Sequence, residues 1–325
     1  MDLYPLKFKP IFKEKIWGGQ KLKNLFGYNY KALPNCGEAW LLSGVEGSET
    51  KVSNGFLKGN NINELVEVYM DDLVGEAIFE KYGTEFPVLI KLIDANDWLS
   101  IQVHPSDDIA MKRHNQYGKS EMWYVLQADE NAQLISGFNR EMNEDLYLQH
   151  LESKSLPKIL NYESVKAGDV FYMPSGRIHA LGPGICLAEI QQTSDITYRI
   201  YDWDRIDDEG NSRELRVAEA LGAIDYEHHA KYKTDYSSKL NQSATLVKSE
   251  HFATNLLEFN QGLTKDISGL DSFITYLCTE GSVKFLCGDY TEEINKGECI
   301  LIPAEMNSIA LEPLKKSTLL ETYVV

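Results

Sequence analysis

The sequence predicts a mainly β protein: a large barrel of jelly-roll type carrying a helical insertion, followed by a second, smaller barrel. Three observations predict it. Short apolar or alternating runs broken by tight turns extend from about residue 86 to 205, and again from about 240 to the end. Helical periodicity is confined to segments near 61–82, 107–117 and 213–224. The pattern G-x5-P, a strand between two turns, occurs at Gly168 and again at Gly297. We expect a domain over 1–240 and a smaller one over 241–325.

Each element has a local cause. Residues 1–57 are mixed, with turns at Gly18-Gly19, Pro34-Asn35 and Gly55. Asn61 or Asn63 can cap a helix over 61–82, with Glu64 and Glu67 in its first turns. Leu65, Val68, Tyr69, Leu73 and Ile78 supply its apolar side, and Gly83 stops it. Phe86 to Asp94 reads as a buried strand with one charge, Lys91. Leu99 to Pro105 alternates, so Gln102 and His104 share a face. A short helix over 107–117 separates them from a strand, Lys119 to Leu126, that puts Lys119, Glu121, Trp123 and Val125 on one face. In Gly168 to His179, turns flank the strand Val170 to Met173, and His179 opens the next strand facing inward. Asp195, Thr197 and Arg199 alternate to one face of a strand over 195–204. In the second copy of the pattern Glu305 stands where Gly176 stood, and Ser308 where His179 stood, so the C-terminal barrel is expected to carry no metal.

Composition narrows the function classes. The chain has 325 residues, 43% of them hydrophobic and 11% aromatic, enough for a packed core. A net charge of −17 with no basic block argues against nucleic-acid binding, which needs a positive stripe. No stretch approaches the ~18 apolar residues of a membrane span, and no N-terminal apolar run suggests a signal peptide. Cys36, Cys186, Cys278, Cys287 and Cys299 show no C-x-x-C spacing and read as reduced thiols, which points to a cytoplasmic protein.

The motif G-x5-P-x-G-x2-H at Gly168–His179 resembles the second signature motif of the cupin β-barrels. With Gln102, His104 and Glu121 it offers two imidazoles, a carboxylate and an amide carbonyl. That set suits one divalent ion per chain: Zn2+ with an open position, or Mn2+, Fe2+, Co2+ or Ni2+. Lys91, Lys119 and Arg199 could bind an anion beside it, since a charge among apolar neighbours is costly unless paired or serving a ligand. Fold alone leaves a metal-dependent isomerase, an Fe2+ oxygenase or a non-catalytic sugar-binding cupin open. An oxygenase has no need of three cations around its pocket.

Six further segments carry a closer resemblance. Ile16-Trp17-Gly18-Gly19, Gly37-Glu38-Ala39-Trp40, Phe86 to Lys91, Leu99-Ser100-Ile101-Gln102-Val103-His104-Pro105, Lys119-Ser120-Glu121-Met122 and Ser194 to Arg199 join the His179 motif in one order. Together they resemble the type I mannose-6-phosphate isomerases in their short bacterial form, without the long helical domain of larger members. The resemblance implies zinc on Gln102, His104, Glu121 and His179. It implies Arg199 as a catalytic residue, with Lys91 and Ser100 near a sugar phosphate. The implied reaction interconverts D-mannose 6-phosphate and D-fructose 6-phosphate through a cis-enediol. Lys119 is expected to help ring opening or proton relay. Asp195, a metal-bound water and Lys119 stand open as the base. Trp17 and Glu38 are expected to line the sugar pocket, with core packing for Trp17 and a strand-edge ion pair for Glu38 as the plainer roles.

Overall fold

A computed structural model describes residues 3–31, 33–206 and 210–325. The chain forms two compact units, one of Met1–Ile11, Ala39–Lys91 and Asp235–Val325, the other of Phe12–Glu38 and Leu92–Thr234. This division differs from a single boundary near 240. The strand Leu6–Lys9 pairs with Cys299–Ile302 and with Lys51–Val52, so backbone hydrogen bonding draws N-terminal segments into the unit of the C-terminal barrel.

In the second unit Glu121–Ala128 lies between Val170–Met173 and Ile185–Gln192, antiparallel to both. A second sheet runs in the order Tyr198–Tyr201, Ile101–Val103, His179–Leu181, Gln133–Phe138, Leu160–Ser164. Inward residues of both sheets pack into one cluster that includes Trp123, Val125, Phe171, Met173, Leu134, Leu181 and Leu187. The outer face of the second sheet buries Phe138, Tyr198 and Ile200 with Tyr147 and Ala220 from helices.

The C-terminal barrel repeats this plan. A sheet with Ala253–Phe259, Ser317–Tyr323, Ile274–Glu280 and Cys299–Ile302 in that order faces one of Leu263–Asp266, Ser308–Pro313, Ser282–Cys287 and Tyr290–Asn295. Phe259, Tyr276, Phe285, Ile300 and Leu311 fill its core. The turns repeat in detail. Gly168 and Gly297 both adopt φ 88°, a backbone open to glycine at little cost. Their amides donate to Val125 and Cys278 carbonyls, each at 2.8 Å. Asp169 and Glu298 side chains then cap the preceding turns at Lys166 N and Asn295 N, at 2.9 and 2.8 Å.

The copies part after the proline. His179 faces inward five positions past Pro174, but the second turn is one residue longer. Ser308 is consequently exposed, and Ile309 takes the inward place among the core residues. The position expected to correspond to His179 is thus Ile309 and not Ser308, because one inserted residue reverses the parity of a strand.

The helices are shorter than their apolar periodicity suggests. The segment 61–82 is two helices, Ile62–Val74 and Glu76–Tyr82, parted by Gly75 at φ 101°. Asn61 and Glu64 form the capping box, exchanging hydrogen bonds with each other's amides. The helix expected over 107–117 ends at His114, where Asn115 turns left-handed at φ 53°. Over 213–224 only Val217–Leu221 is helical. Two further helices, Lys21–Phe26 and Glu144–Glu152, fall outside the segments expected to be helical, although Tyr147, Leu148 and Leu151 give the second an apolar face. No described helix is long and apolar enough to cross a membrane.

Candidate metal centre

The second unit brings His104, Glu121 and His179 together, with ligating atoms within 4.8 Å of one another. Each arrives by a different route. His179 opens its strand, where the register places it opposite Gln102. Glu121 opens the neighbouring sheet's strand opposite Met173. His104 follows Ile101–Val103 immediately, two residues past Gln102. All three side chains are buried, at 2%, 0% and 1% exposure, which removes the water that would otherwise compete for their donor atoms.

Both imidazoles are held by backbone. His104 Nδ1 lies 2.9 Å from the carbonyl of Ile196, and His179 Nδ1 lies 2.8 Å from that of Arg177. A carbonyl can only accept, so each Nδ1 carries a proton and each Nε2 is turned toward the cluster. Those Nε2 atoms converge on the carboxylate, His104 at 3.5 Å from Oε2 and His179 at 3.4 Å from Oε1. Burial, reinforced by the Lys119 charge, lowers the His179 pKa to about 4, so the ring is neutral at physiological pH. A neutral His179 and two imidazoles whose Nδ1 atoms are tied to backbone, beside a buried carboxylate, suit a borderline divalent cation. Gln102 borders the cluster, with Nε2 3.3 Å from His179 Nε2 while its Oε1 accepts from Ser100 Oγ at 3.4 Å.

Lys119 sits against this cluster. It is buried, its ammonium pairs with Glu121 Oε2, and it lies 3.1 Å from His104 Nε2. Arg199 pairs with Gln102 across the strands on the side opposite His179, so Gln102, His179 and Arg199 share one face. Its guanidinium donates to the Glu214 carbonyl at 2.8 Å, while its Nε is buried without a hydrogen bond. Asp202, a plausible ion partner for Arg199, instead binds Arg205 and Arg213. Burial, then the nearby Arg213 charge, lowers the Arg199 pKa.

The other candidates are placed differently. The strand expected over 195–204 is only Tyr198–Tyr201, so Asp195 lies in the preceding loop and is exposed. The alternation that put it beside Arg199 does not extend that far. Trp17 is buried in the barrel's apolar cluster. Glu38 forms an ion pair with Lys15 at 3.3 Å. Lys91 is buried in the first unit, its ammonium 5.0 Å above the ring of Trp40.

One pair escaped the sequence reading. Trp123 meets the His179 ring edge-on with centroids 5.3 Å apart, and its indole N–H donates to Glu189 at 3.0 Å. A lone carboxylate in the apolar strand Ile185–Gln192 was the available signal.

Comparison with known proteins decides among the chemistries this cluster permits. Residues 5–133 match the type I phosphomannose isomerase catalytic domain. Mannose-6-phosphate isomerase ManA of Bacillus subtilis is 34% identical over 315 residues, spanning 96% of this chain and 97% of that one. The chain belongs to the type I mannose-6-phosphate isomerase family. The mannose-6-phosphate isomerase of Streptococcus mutans is 33% identical, with 94% of each chain covered. A crystal structure of a Bacillus subtilis mannose 6-phosphate isomerase superposes with TM-score 0.88 at 33% identity, covering 98% of this chain and 99% of that one. The cupin-type, mainly β architecture is that of the family.

Proposed function

We propose that this mannose-6-phosphate isomerase family member interconverts D-mannose 6-phosphate and D-fructose 6-phosphate at the His104–Glu121–His179 cluster, with a zinc ion held by these residues and Gln102. The convergence of two backbone-tethered Nε2 atoms on one buried carboxylate carries the reading. A divalent cation there supplies a Lewis acid for the substrate carbonyl and has no redox chemistry of its own if it is zinc. Family membership favours this chemistry over oxygenation and over mere sugar binding.

The barrier to the reaction is removal of a proton from carbon beside a carbonyl, which leaves negative charge on oxygen. Arg199, on the face of Gln102, is positioned to stabilise that charge with a delocalised, permanently protonated group. Lys119, bridging Glu121 and His104, is the proton carrier nearest the cluster, and we assign it ring opening or relay between C1 and C2. Exposed Asp195 remains a substrate contact only. Ser100 and Lys91 are assigned to the phosphate, on the family resemblance. The packing of Trp17 and the ion pair of Glu38 account for those two side chains structurally, ahead of a pocket-lining role. Five buried cysteines with no disulfide among the described residues support a reducing, cytoplasmic setting.

The test is conversion of mannose 6-phosphate in D2O. An enediol route places solvent deuterium on C1 of the fructose 6-phosphate, at the same rate with and without O2. Deuterium on C1 rules out a hydride shift, and turnover that requires O2 would exclude this mechanism.

A further inference from the structure

The repeated frame lets the two barrels be compared residue by residue, and the comparison exposes a second site. Gln102 pairs with His179 in the first barrel; Lys265 pairs with Ile309 in the second. Glu121 opposes Met173; Ile274 opposes Ile302. Ile267, two past Lys265, takes the place of His104. The metal-binding positions are therefore Lys265, Ile267, Ile274 and Ile309, which cannot hold a cation.

These positions are nevertheless not closed over. A cavity of about 450 Å3 lies there, lined by Lys265, Ile267, Ile274, Glu321, Tyr323 and Asn255 among others. That volume falls in the range of small-ligand pockets. Its polar side is organised. The Trp123–Glu189 bond of the first barrel returns as Tyr276 donating to Glu321 at 2.7 Å, on the corresponding cross-strand pair. Asn255 Nδ2 donates to the other oxygen of Glu321 at 3.0 Å. Lys265 pairs with Glu321 and reaches Ser243 Oγ at 2.9 Å. Glu321 is only 5% exposed. A buried ion pair adds little to stability compared with an apolar replacement. A barrel kept only for packing had aliphatic side chains at neighbouring positions to use instead.

We propose that the C-terminal barrel carries a metal-free site for an uncharged, polyhydroxylated ring of hexose size. The chemistry selects this class. Lys265 and Glu321 neutralise each other, and Asp266 on the rim leaves the lining negative, which opposes a phosphate. Glu321, Asn255 and Lys265 present acceptors and donors for hydroxyl groups, while Tyr323 and Ile274 offer apolar faces to ring C–H groups. The inference does not depend on the metal or on the isomerase reaction.

The test uses the full-length, metal-loaded enzyme with 13C-labelled isoleucine methyls, titrated with D-mannose, D-glucose, D-fructose and inorganic phosphate. Saturable shifts at Ile267 and Ile274 are expected with at least one hexose and not with phosphate. Tyr323→Ala should weaken that binding at least tenfold, and His179→Ala should leave it unchanged. The proposal is overturned if no hexose shifts these methyls, if phosphate does so instead, or if His179→Ala abolishes the shifts. Because the wild-type titration is decisive alone, failure of Tyr323→Ala to fold would not protect the idea.

Discussion

Under the proposed mechanism Arg199 acts on the chemistry and not on binding of the ion. It lies on the face of Gln102 but outside the His104–Glu121–His179 cluster. Arg199→Ala should keep full metal content while kcat falls by about 10^2–10^3, the range for losing one oxyanion-stabilising group. Metal analysis alongside steady-state kinetics checks this, and unchanged kcat would take Arg199 out of the mechanism. His179 supplies a pH signature in metal-free protein. Its folded pKa, about 4, lies below the 6.5 of an ordinary imidazole, so the unfolded chain takes up the proton first as pH falls. The stability that His179 contributes is present above about 6.5 and should be lost progressively toward pH 4. Melting curves of metal-free wild type and His179→Leu across this window should diverge; parallel curves would mean that the imidazole is not responsible. The convergence of His104, Glu121 and His179 was legible because each sits in a short motif with turns that fix its register. Asp195 is not legible because the alternation runs past the strand's true start at Tyr198, and Glu189 is not because a lone glutamate has no local spacing to mark it.

At the level of elements, turns carry more of the specification than strands do. Gly168 and Gly297 both sit at φ 88° at the head of the repeated strand. Gly297→Ala forces a side chain into that conformation and should cost about 1–3 kcal/mol, read as a lower denaturation midpoint, with metal content unchanged. An unaltered midpoint would show that the turn relaxes freely. Strand positions were readable because the G-x5-P pattern brackets them. Helix ends were not, since Gly75 and Asn115 break the helices at residues that do not interrupt the apolar periodicity. The inward shift from Ser308 to Ile309 shows why an offset in sequence is a weaker guide than strand register: one extra turn residue exchanged the buried face for the exposed one.

Over the whole molecule the barrel plan occurs twice, and the buried His104–Glu121–His179 cluster lies in one copy. The second barrel has its own core around Phe285, Tyr276 and Ile300. Phe285→Ala should cost about 3–5 kcal/mol through the cavity it leaves. Folded protein should still bind one equivalent of metal, measured by elemental analysis after gel filtration; loss of metal from folded protein would show that the second core holds the ligands in place. The duplication was legible in sequence, but the division of the chain was not. The pairing of Leu6–Lys9 with Cys299–Ile302 joins segments nearly three hundred positions apart, and nothing in local composition announces such a contact.

A divalent ion at His104, Glu121 and His179 is what we propose makes this chain an isomerase. Mannose 6-phosphate conversion, coupled to detection of fructose 6-phosphate, should vanish on exhaustive chelation and return when one equivalent of Zn2+ is restored. Turnover that survives complete metal removal would mean that the reaction does not depend on an ion at these residues.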